Sequence, residues 1–420
     1  MSDRDALVEE QPMTAPPEPG TGWAARVRRF VRPRRRWCLG TKLVVTATMA
    51  WLLFVVCHLL ASGRTSLWAP LELIPPLLFL AVPVSLMVVA PLARPVRWRI
   101  VSLLVVAAVL GAGRSGVNYA TLWYTPPPAR PGAVTVVAWN TEFWDQDLRN
   151  SDGTRFSPGF YDYLHSLDAD VYLLAEYLHR DMRPARRWTG DLALRIDKLA
   201  ELRREFPGWH VAVSGEQITL SRFPITAHRG LDMRPWLPAD QKEIPDVLRH
   251  WPEGYTVETL RTDIDVNGTV VSFYDAQVVL PPLEWRLYDA ESREVNESRT
   301  LRREASYRAI SADIAANPNP VVLAGDLNTS PAMGIRRLLP EGLVDWTPAL
   351  SSLYPATYLA GTAELWRIDW LYTTPDVTVH DYELPGAEGQ SDHRAQRMLM
   401  SVSRPARAPQ TTPRTTLPTT

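Results

Sequence analysis

Cysteine is nearly absent: 420 residues hold two, Cys38 and Cys57, both in the N-terminal fifth. None remains for the rest of the chain, which excludes a disulfide framework or a thiolate-held zinc there. Lysine is almost as scarce, with Lys42, Lys198 and Lys242 the only three, so nearly all positive charge is arginine. Net charge is also missing, at -1 overall, but that average conceals a split. Residues 1–130 hold 15 basic against 6 acidic side chains, a net of +9, whereas residues 131–403 hold 27 against 40, a net of -13. An acidic section of this size argues against a broad surface that tracks nucleic-acid phosphates. No internal repeat is present.

Long apolar runs, by contrast, are plentiful near the N-terminus. Residues 1–37 are polar at first and then arginine-rich from Arg26 to Arg36, and are expected to be disordered. Three apolar runs follow, within 38–124: Leu43–Ala61, Trp68–Leu92 with a Pro75-Pro76 kink, and Ile100–Gly113 continued through Gly116–Trp123. A span needs about 20 mostly apolar residues, so the pattern predicts three transmembrane helices, the third the weakest because Arg114 interrupts it. Three arginine-flanked runs are hard to bury within so short a segment as core helices. The first run lacks a small-residue cleavage site, which argues against a signal peptide. Arginines before the first run, and Arg94, Arg97 and Arg99 between the second and third, belong on the cytoplasmic side. Everything after residue 125 is then outside a plasma membrane, beyond a proline-rich spacer at 125–132.

Residues 133–403 read differently. Short apolar runs alternate with turn residues and a few helical stretches, a mix typical of an α/β or α+β domain. Strands are expected at Val134–Trp139, Val171–Ala175, His210–Val213, Gln217–Leu220, Val257–Val266, Thr269–Tyr274, Pro320–Ala324 and Ile368–Tyr372. Asn267-Gly268 marks a hairpin turn. Helices are expected at Phe160–Leu167, Leu199–Glu205 and Glu297–Ala315, and the tail 404–420 is expected to be disordered.

The residues that carry chemistry are Asn140, Glu176, Asp326, Asn328, Asp369, Asp392 and His393, each within a strand, at or just past a strand end, or in a loop. A carboxylate at the end of a buried strand costs desolvation unless something pairs with it. A hard cation such as Mg²⁺ (or Mn²⁺) is the natural partner, since it takes oxygen ligands. Phosphate-ester hydrolysis needs a metal, a group to position water and donors for developing charge. Singly, each residue is more often a turn or cap residue; their ordered set decides.

That set resembles the endonuclease/exonuclease/phosphatase superfamily of DNase-I-like phosphoesterases. It is carried by Val136–Asn140, Asp170–Glu176, Leu220–Ile225, Ala324–Asn328, Arg367–Trp370 and Ser391–Arg394, in the family's order. The resemblance implies an α+β four-layer α/β/β/α sandwich after the three-helix membrane section. It implies that Glu176 is the main metal ligand, with Asn140 and Asp392 near it. Asp326 would orient or deprotonate the attacking water, Asn328 would hold a phosphate oxygen and His393 would contact the scissile phosphate. Asp369 is the candidate carboxylate that fixes the His393 ring and favours its protonated form. The layout is also similar to that of membrane-bound teicoplanin-resistance proteins of actinomycetes.

One position departs from the family: Gln277 stands where many members carry a histidine. Glutamine can hydrogen-bond a phosphate but cannot deliver a proton, which suits a leaving group that needs little acid help, such as a phosphate. Two insertions, Arg229–Gly254 and Leu283–Val295, hold Trp236, Trp251 and Trp285, which are expected at the lipid interface, in a substrate cleft or capping the core. The expected function is an anchored, extracytoplasmic Mg²⁺-dependent phosphoesterase acting on a phosphorylated, membrane-borne substrate such as a polyprenyl diphosphate or phospholipid. An anchored nuclease, using Arg186, Arg187, Arg203 and Arg204, is the first alternative. A catalytically reduced binding module is the second.

Overall fold

The computed structural model describes residues 37–147, 156–181, 193–244, 251–283 and 289–403. The expectations for 1–36, for 404–420, for Trp285 and for Arg186 and Arg187 lie outside the described residues.

The N-terminal section is helical: α1 (Leu39–Ala61), α2 (Leu78–Val89) and α3 (Arg97–Ala112). Only α1, with 23 residues and an 18-residue stretch of mean hydropathy 2.3, is by itself long and apolar enough to cross a membrane among the described residues. Of the three runs expected to span, one forms a single helix of that length and the other two form shorter helices. The second run breaks into a 3₁₀ turn (Ser66–Leu73), the Pro75-Pro76 step and the 12-residue α2. Two successive prolines remove two amide donors and interrupt the ladder, and α2 begins just beyond them, with Pro83 in its second turn. The third run stops at Gly113 after 16 residues and resumes only as a short 3₁₀ turn, Tyr119–Leu122. The three helices pack as antiparallel neighbours, Thr41 near the start of α1 reaching the Leu92 carbonyl after α2.

From Val134 the chain builds two six-stranded sheets. The first has β1 (Val134–Asn140), β2 (Val171–Ala175), β5 (His210–Ser214), β6 (Gln217–Ser221), β15 (Val377–Glu383) and β16 (Gln396–Val402), in the order β15-β16-β1-β2-β6-β5. The second has β7 (Ile225–Asp232), β8 (Val257–Val266), β9 (Thr269–Gln277), β10 (Val321–Asp326), β11 (Val344–Asp345) and β14 (Asp369–Thr373), in the order β11-β14-β10-β9-β8-β7. Two small hairpins, β3 (Leu178–Arg180) with β4 (Ala193–Arg195) and β12 (Tyr358–Ala360) with β13 (Ala363–Trp366), lie outside the sheets.

Strand period explains the layers, because alternate side chains point to opposite faces. Val136, Ala138, Val171 and Leu173 of one sheet meet Ile264, Val271, Phe273, Val322, Ala324 and Leu371 of the other in the central core. The alternate residues Val137, Trp139, Tyr172 and Leu174 face outward, under α4 (Phe160–Ser166) and α5 (Leu199–Glu205). On the far side, Tyr274, Leu323 and Tyr372 pack under Tyr307, Ile310 and Ile314 of α6 (Ala290–Ala315). The result is the α/β/β/α sandwich that the resemblance implies.

Two expectations change. The stretch Leu283–Val295 is not all insertion, since α6 begins at Ala290 with Asp289 capping it by accepting from the Ser292 N–H. The Arg229–Gly254 stretch opens with the end of β7, an edge strand whose alternation the sequence obscures. Its Trp251 is only 3% exposed, lying against Gly254 rather than at an open tip, whereas Trp236 is 39% exposed.

Candidate active site

The central period-2 stripe turns polar at one end of the sandwich. Two residues beyond Ala138 on β1 comes Asn140; two beyond Ala324 on β10 comes Asp326; two before Leu371 on β14 comes Asp369; and four beyond Phe273 on β9 comes Gln277. Register aligns three of them in a row across the second sheet, Asp326 opposite Gln277 on one side and opposite Asp369 on the other. Gly325 makes that row possible. It sits at φ +129°, and a Cβ there would lie 2.3 Å from the Ala276 carbonyl oxygen, so only glycine lets the strands close at this point.

Asn140 joins the sheets. Its Nδ2 donates to Glu176 Oε1 at 3.0 Å and to Asp326 Oδ2 at 3.2 Å. Glu176 follows β2 in a left-handed conformation (φ +62°), which swings its carboxylate toward the cleft. It also accepts from the Phe143 N–H at 3.0 Å and from Gln277 Nε2 at 2.9 Å. Asn328, also left-handed (φ +45°), donates through its backbone N–H to Asp326 Oδ1 at 2.7 Å and through Nδ2 to Asp326 Oδ2 at 3.0 Å. Strained backbone at several converging residues is typical of a functional site.

His393 sits beside this cluster with Nδ1 3.0 Å from Asp369 Oδ2, and with Nε2 3.8 Å from Asp326 Oδ2 and 3.7 Å from Asp392 Oδ1. Ser391 ties the segment to β1 by donating to the Asn140 carbonyl at 2.8 Å and accepting from the His393 N–H at 2.9 Å. All seven residues singled out from the sequence therefore meet in one cleft. Glu142 was not among them. Its carboxylate accepts from the Asp392 N–H at 2.9 Å, and with Phe143 and Trp144 it forms a run of three left-handed residues just past β1. Its only signal in the sequence is that it lies two residues beyond a buried strand ending in Asn140.

Gln277 does not face the cleft alone, because its amide nitrogen is spent on Glu176 while its Oε1 is buried without a partner. Asp275, two residues earlier, is buried with both carboxylate oxygens unpartnered, and burial pushes its carboxyl well up.

The electrostatics are those of crowded, desolvated acids. Burial, reinforced by Asp369, pushes Asp326 up to about 7. Burial, then Asp392, pushes Glu142 up to about 7 as well, and burial raises Glu176 and Asp392. Burial opposes the His393 imidazolium, yet Asp369, Asp326 and Asp392 outweigh it and hold the ring well above its ordinary value. One imidazolium among Glu142, Glu176, Asp326, Asp369 and Asp392 leaves negative charge in excess. A divalent cation fits that excess, and oxygen donors of this kind suit a hard metal. The nearest ligand atoms of Asp326, Asp369 and His393 lie within 4.8 Å of one another, another place where a cation can be held. A protonated ring offers no lone pair, however, so such a cation must first displace the His393 proton.

A profile of the endonuclease/exonuclease/phosphatase family matches residues 137–393. The chain belongs to this family. No curated protein matches it. Among solved structures, a family member from Beutenbergia cavernae DSM 12333 shares 15% identity at a TM-score of 0.42, covering 64% of this chain and 72% of its own. The mannosyl-6-phosphatase Bt3783 of Bacteroides thetaiotaomicron VPI-5482 shares 15% at 0.41, covering 64% and 99%. A beta toxin of Staphylococcus aureus shares 13% at 0.38, covering 64% and 100%. At these values the likenesses carry nothing about activity. Membership makes the chain a hydrolase of the phosphoesterase or nuclease type, in a family that uses divalent metal.

Proposed function

We propose that this family member is a Mg²⁺- or Mn²⁺-dependent phosphoesterase, anchored in the plasma membrane by its N-terminal helices. In this reading its catalytic domain lies outside and acts on a membrane-borne phosphate ester or diphosphate. The observation that carries it is the meeting of Asn140, Glu176, Asp326, Asn328, Asp369, Asp392 and His393 from distant strand ends around one acidic cleft. Glu176, Asn140 and Asp392 would hold the metal, which when bound supplies positive charge to the phosphoryl oxygens.

The chain's own residues do the rest. Asn328 holds Asp326 by two hydrogen bonds, so its carboxylate has one orientation toward an attacking water. A carboxyl near 7 is poised to take a proton at neutral pH. Asp369 fixes the His393 ring through Nδ1 and leaves Nε2 toward the cleft, where a protonated nitrogen can donate to a phosphate oxygen.

The helical section supports the anchor. Leu39, Leu43, Leu53 and Leu60 on α1, Val84 and Val88 on α2, and Val109 on α3 are each at least half exposed. An apolar surface of this extent is foreign to a soluble face. Arg94, Arg97 and Arg99 lie at the end of the bundle remote from the catalytic domain, where the positive-inside rule puts cytoplasm. Among the described residues the nuclease alternative gains no support: Arg203 and Arg204 are exposed on α5, on the outer face of the first sheet.

The test is hydrolysis by the full chain in neutral detergent with Mg²⁺, comparing an isoprenyl diphosphate, phospholipids and plasmid DNA, with Glu176→Ala as the blank. Turnover of a lipid substrate that vanishes in the blank supports the proposal. Nicking of DNA with no lipid turnover overturns it in favour of a nuclease.

A further inference from the structure

Side chains of the helical section meet backbone groups of the catalytic domain. Ser62 accepts from the Gly334 N–H at 2.7 Å, and His58 Nε2 lies 2.8 Å from the Ala332 carbonyl. Gly63, at φ +67°, approaches so closely that a Cβ on it would lie 2.5 Å from the Gly334 carbonyl carbon. Asn118, past α3, donates to the Leu350 carbonyl at 2.9 Å.

Beside this contact is a cavity of about 320 Å³ whose polar lining is Arg114, Arg336, Arg337, Asp345 and Tyr372. Arg114 comes from the end of α3, and the other two arginines from the 3₁₀ turn Gly334–Leu338. Arg336 lies 3.8 Å over the Trp370 ring and donates to Tyr372 Oη at 3.0 Å, yet its Nε is buried with no acceptor. Its other acceptor is the Pro331 carbonyl at 3.4 Å, and its nearest carboxylate oxygen, Asp345 Oδ2, is 4.0 Å away, beyond hydrogen-bond reach. Arg114 has no hydrogen-bond acceptor or ion-pair partner among the described residues.

Solvation alone accounts for Arg337, which is exposed. It does not account for the other two, which are partly buried and repel each other, Arg336 with Asp345 only at 4.0 Å and Arg114 with only the more remote attraction of Glu72. Guanidinium forks match phosphate geometry, and basic pockets beside membrane helices suit lipid headgroups.

We propose that this cavity binds a phosphate group, from an anionic lipid headgroup or a soluble phosphate, through Arg114 of the helical section and Arg336 and Arg337 of the catalytic domain. The phosphate chemistry stands on the cavity itself; the lipid source rests on the membrane reading above. Bound there, the anion joins the end of α3 to the segment that continues from Asn328, and so links the anchor to the catalytic loop.

The test uses the full chain in neutral detergent, titrated separately with inorganic phosphate and with micelles carrying phosphatidylglycerol or phosphatidylcholine, read by thermal shift. Arg114→Gln should weaken phosphate or phosphatidylglycerol binding about tenfold or more, the scale of one charge-assisted contact. Arg337→Gln should weaken it less. Arg308→Gln, an exposed partner of Glu304 on α6, should change nothing. Glu176→Ala should bind as the parent does, which separates this site from the catalytic cleft and from any failure of the catalytic assignment. A response to phosphatidylglycerol alone identifies a lipid; a response to inorganic phosphate as well admits a soluble anion. Parent-like binding in both Arg114→Gln and Arg337→Gln, or no response to either phosphate source, overturns the proposal. Should Arg114→Gln fail to fold, the exposed Arg337 carries the test.

Discussion

The helical section and the sandwich are built inside out relative to each other. In the sandwich, apolar stripes from two sheets close on one another, and polarity gathers where Asn140, Gln277, Asp326 and Asp369 extend those stripes to one end. In the helical section, leucine and valine point outward along the shafts, and the contacts to the catalytic domain come from polar or small residues near the helix ends, Ser62, Gly63 and Asn118. The lesson is that hydrophobic patterning reports the solvent an element faces, and the places where the pattern stops report where two environments meet. The catalytic cleft is one such place, and the junction between helices and sandwich is the other.

Changes that affect one region and spare the other test this contrast. The largest effect should come from Glu176→Ala, which is expected to lower phosphoesterase turnover by about 10²–10³, the scale of removing one electrostatic contact in a site. Membrane association, measured by carbonate extraction, should stay unchanged. Detachment of the catalytic variant would show that the two regions are not independent.

Leu53→Asp makes the converse change. It places a charge on a face of α1 that is 64% exposed, at a cost of about 2.5–3.5 kcal/mol on insertion scales. The protein should shift toward the soluble fraction while hydrolysing a soluble phosphate ester at the parent rate. Unaltered extraction would remove the lipid-facing assignment of α1.

A smaller effect is expected in the pH dependence of stability. Asp326 and Glu142 are raised to about 7, and His393 well above its ordinary value, so all three bind their protons more tightly folded than unfolded. The stability they contribute is complete below the unfolded carboxylate range. It is lost as pH rises toward about 7 for the two acids, and at higher pH for His393. The melting temperature in chelator should therefore fall between about pH 5 and 7.5, and Mg²⁺ should raise it more at the upper end. Asp326→Asn should flatten the slope. A melting temperature that climbs with pH in chelator would contradict the crowding of acids in this cleft.

The smallest expected effect is on leaving-group preference. Gln277→His supplies a proton donor but removes the amide that now donates to Glu176 at 2.9 Å. A several-fold gain on a phosphodiester with a poor leaving group, and no gain on a diphosphate, is expected from competition kinetics. Equal gains on both would remove leaving-group acidity as the reason for glutamine.

Much of the cleft was legible because its residues end strongly patterned strands. Val171–Ala175 and Val321–Asp326 are runs of buried side chains, so Glu176 and Asp326 stand out as charges that such runs do not need. The edge strands β7 and β15, the neighbouring β16 and the β12–β13 hairpin were not legible. β7 pairs on one side with bulges, and β15 carries His380 and Asp381 where its register shifts. Glu142 was missed because a left-handed turn, rather than strand alternation, brings it to Asp392.

By itself the sequence determined which segments are apolar enough for a membrane or a core, which residues lie at strand ends, and the ordered set that marks the family. Those properties are local, since they follow from periodicity and composition over a few residues. Only the tertiary structure decided that the second and third apolar runs form helices too short to span alone, that Gln277 bonds to Glu176, and that Arg114 faces Arg336 across a cavity. Each of these depends on how far apart segments come to rest, a distance that packing sets and no short window of residues contains.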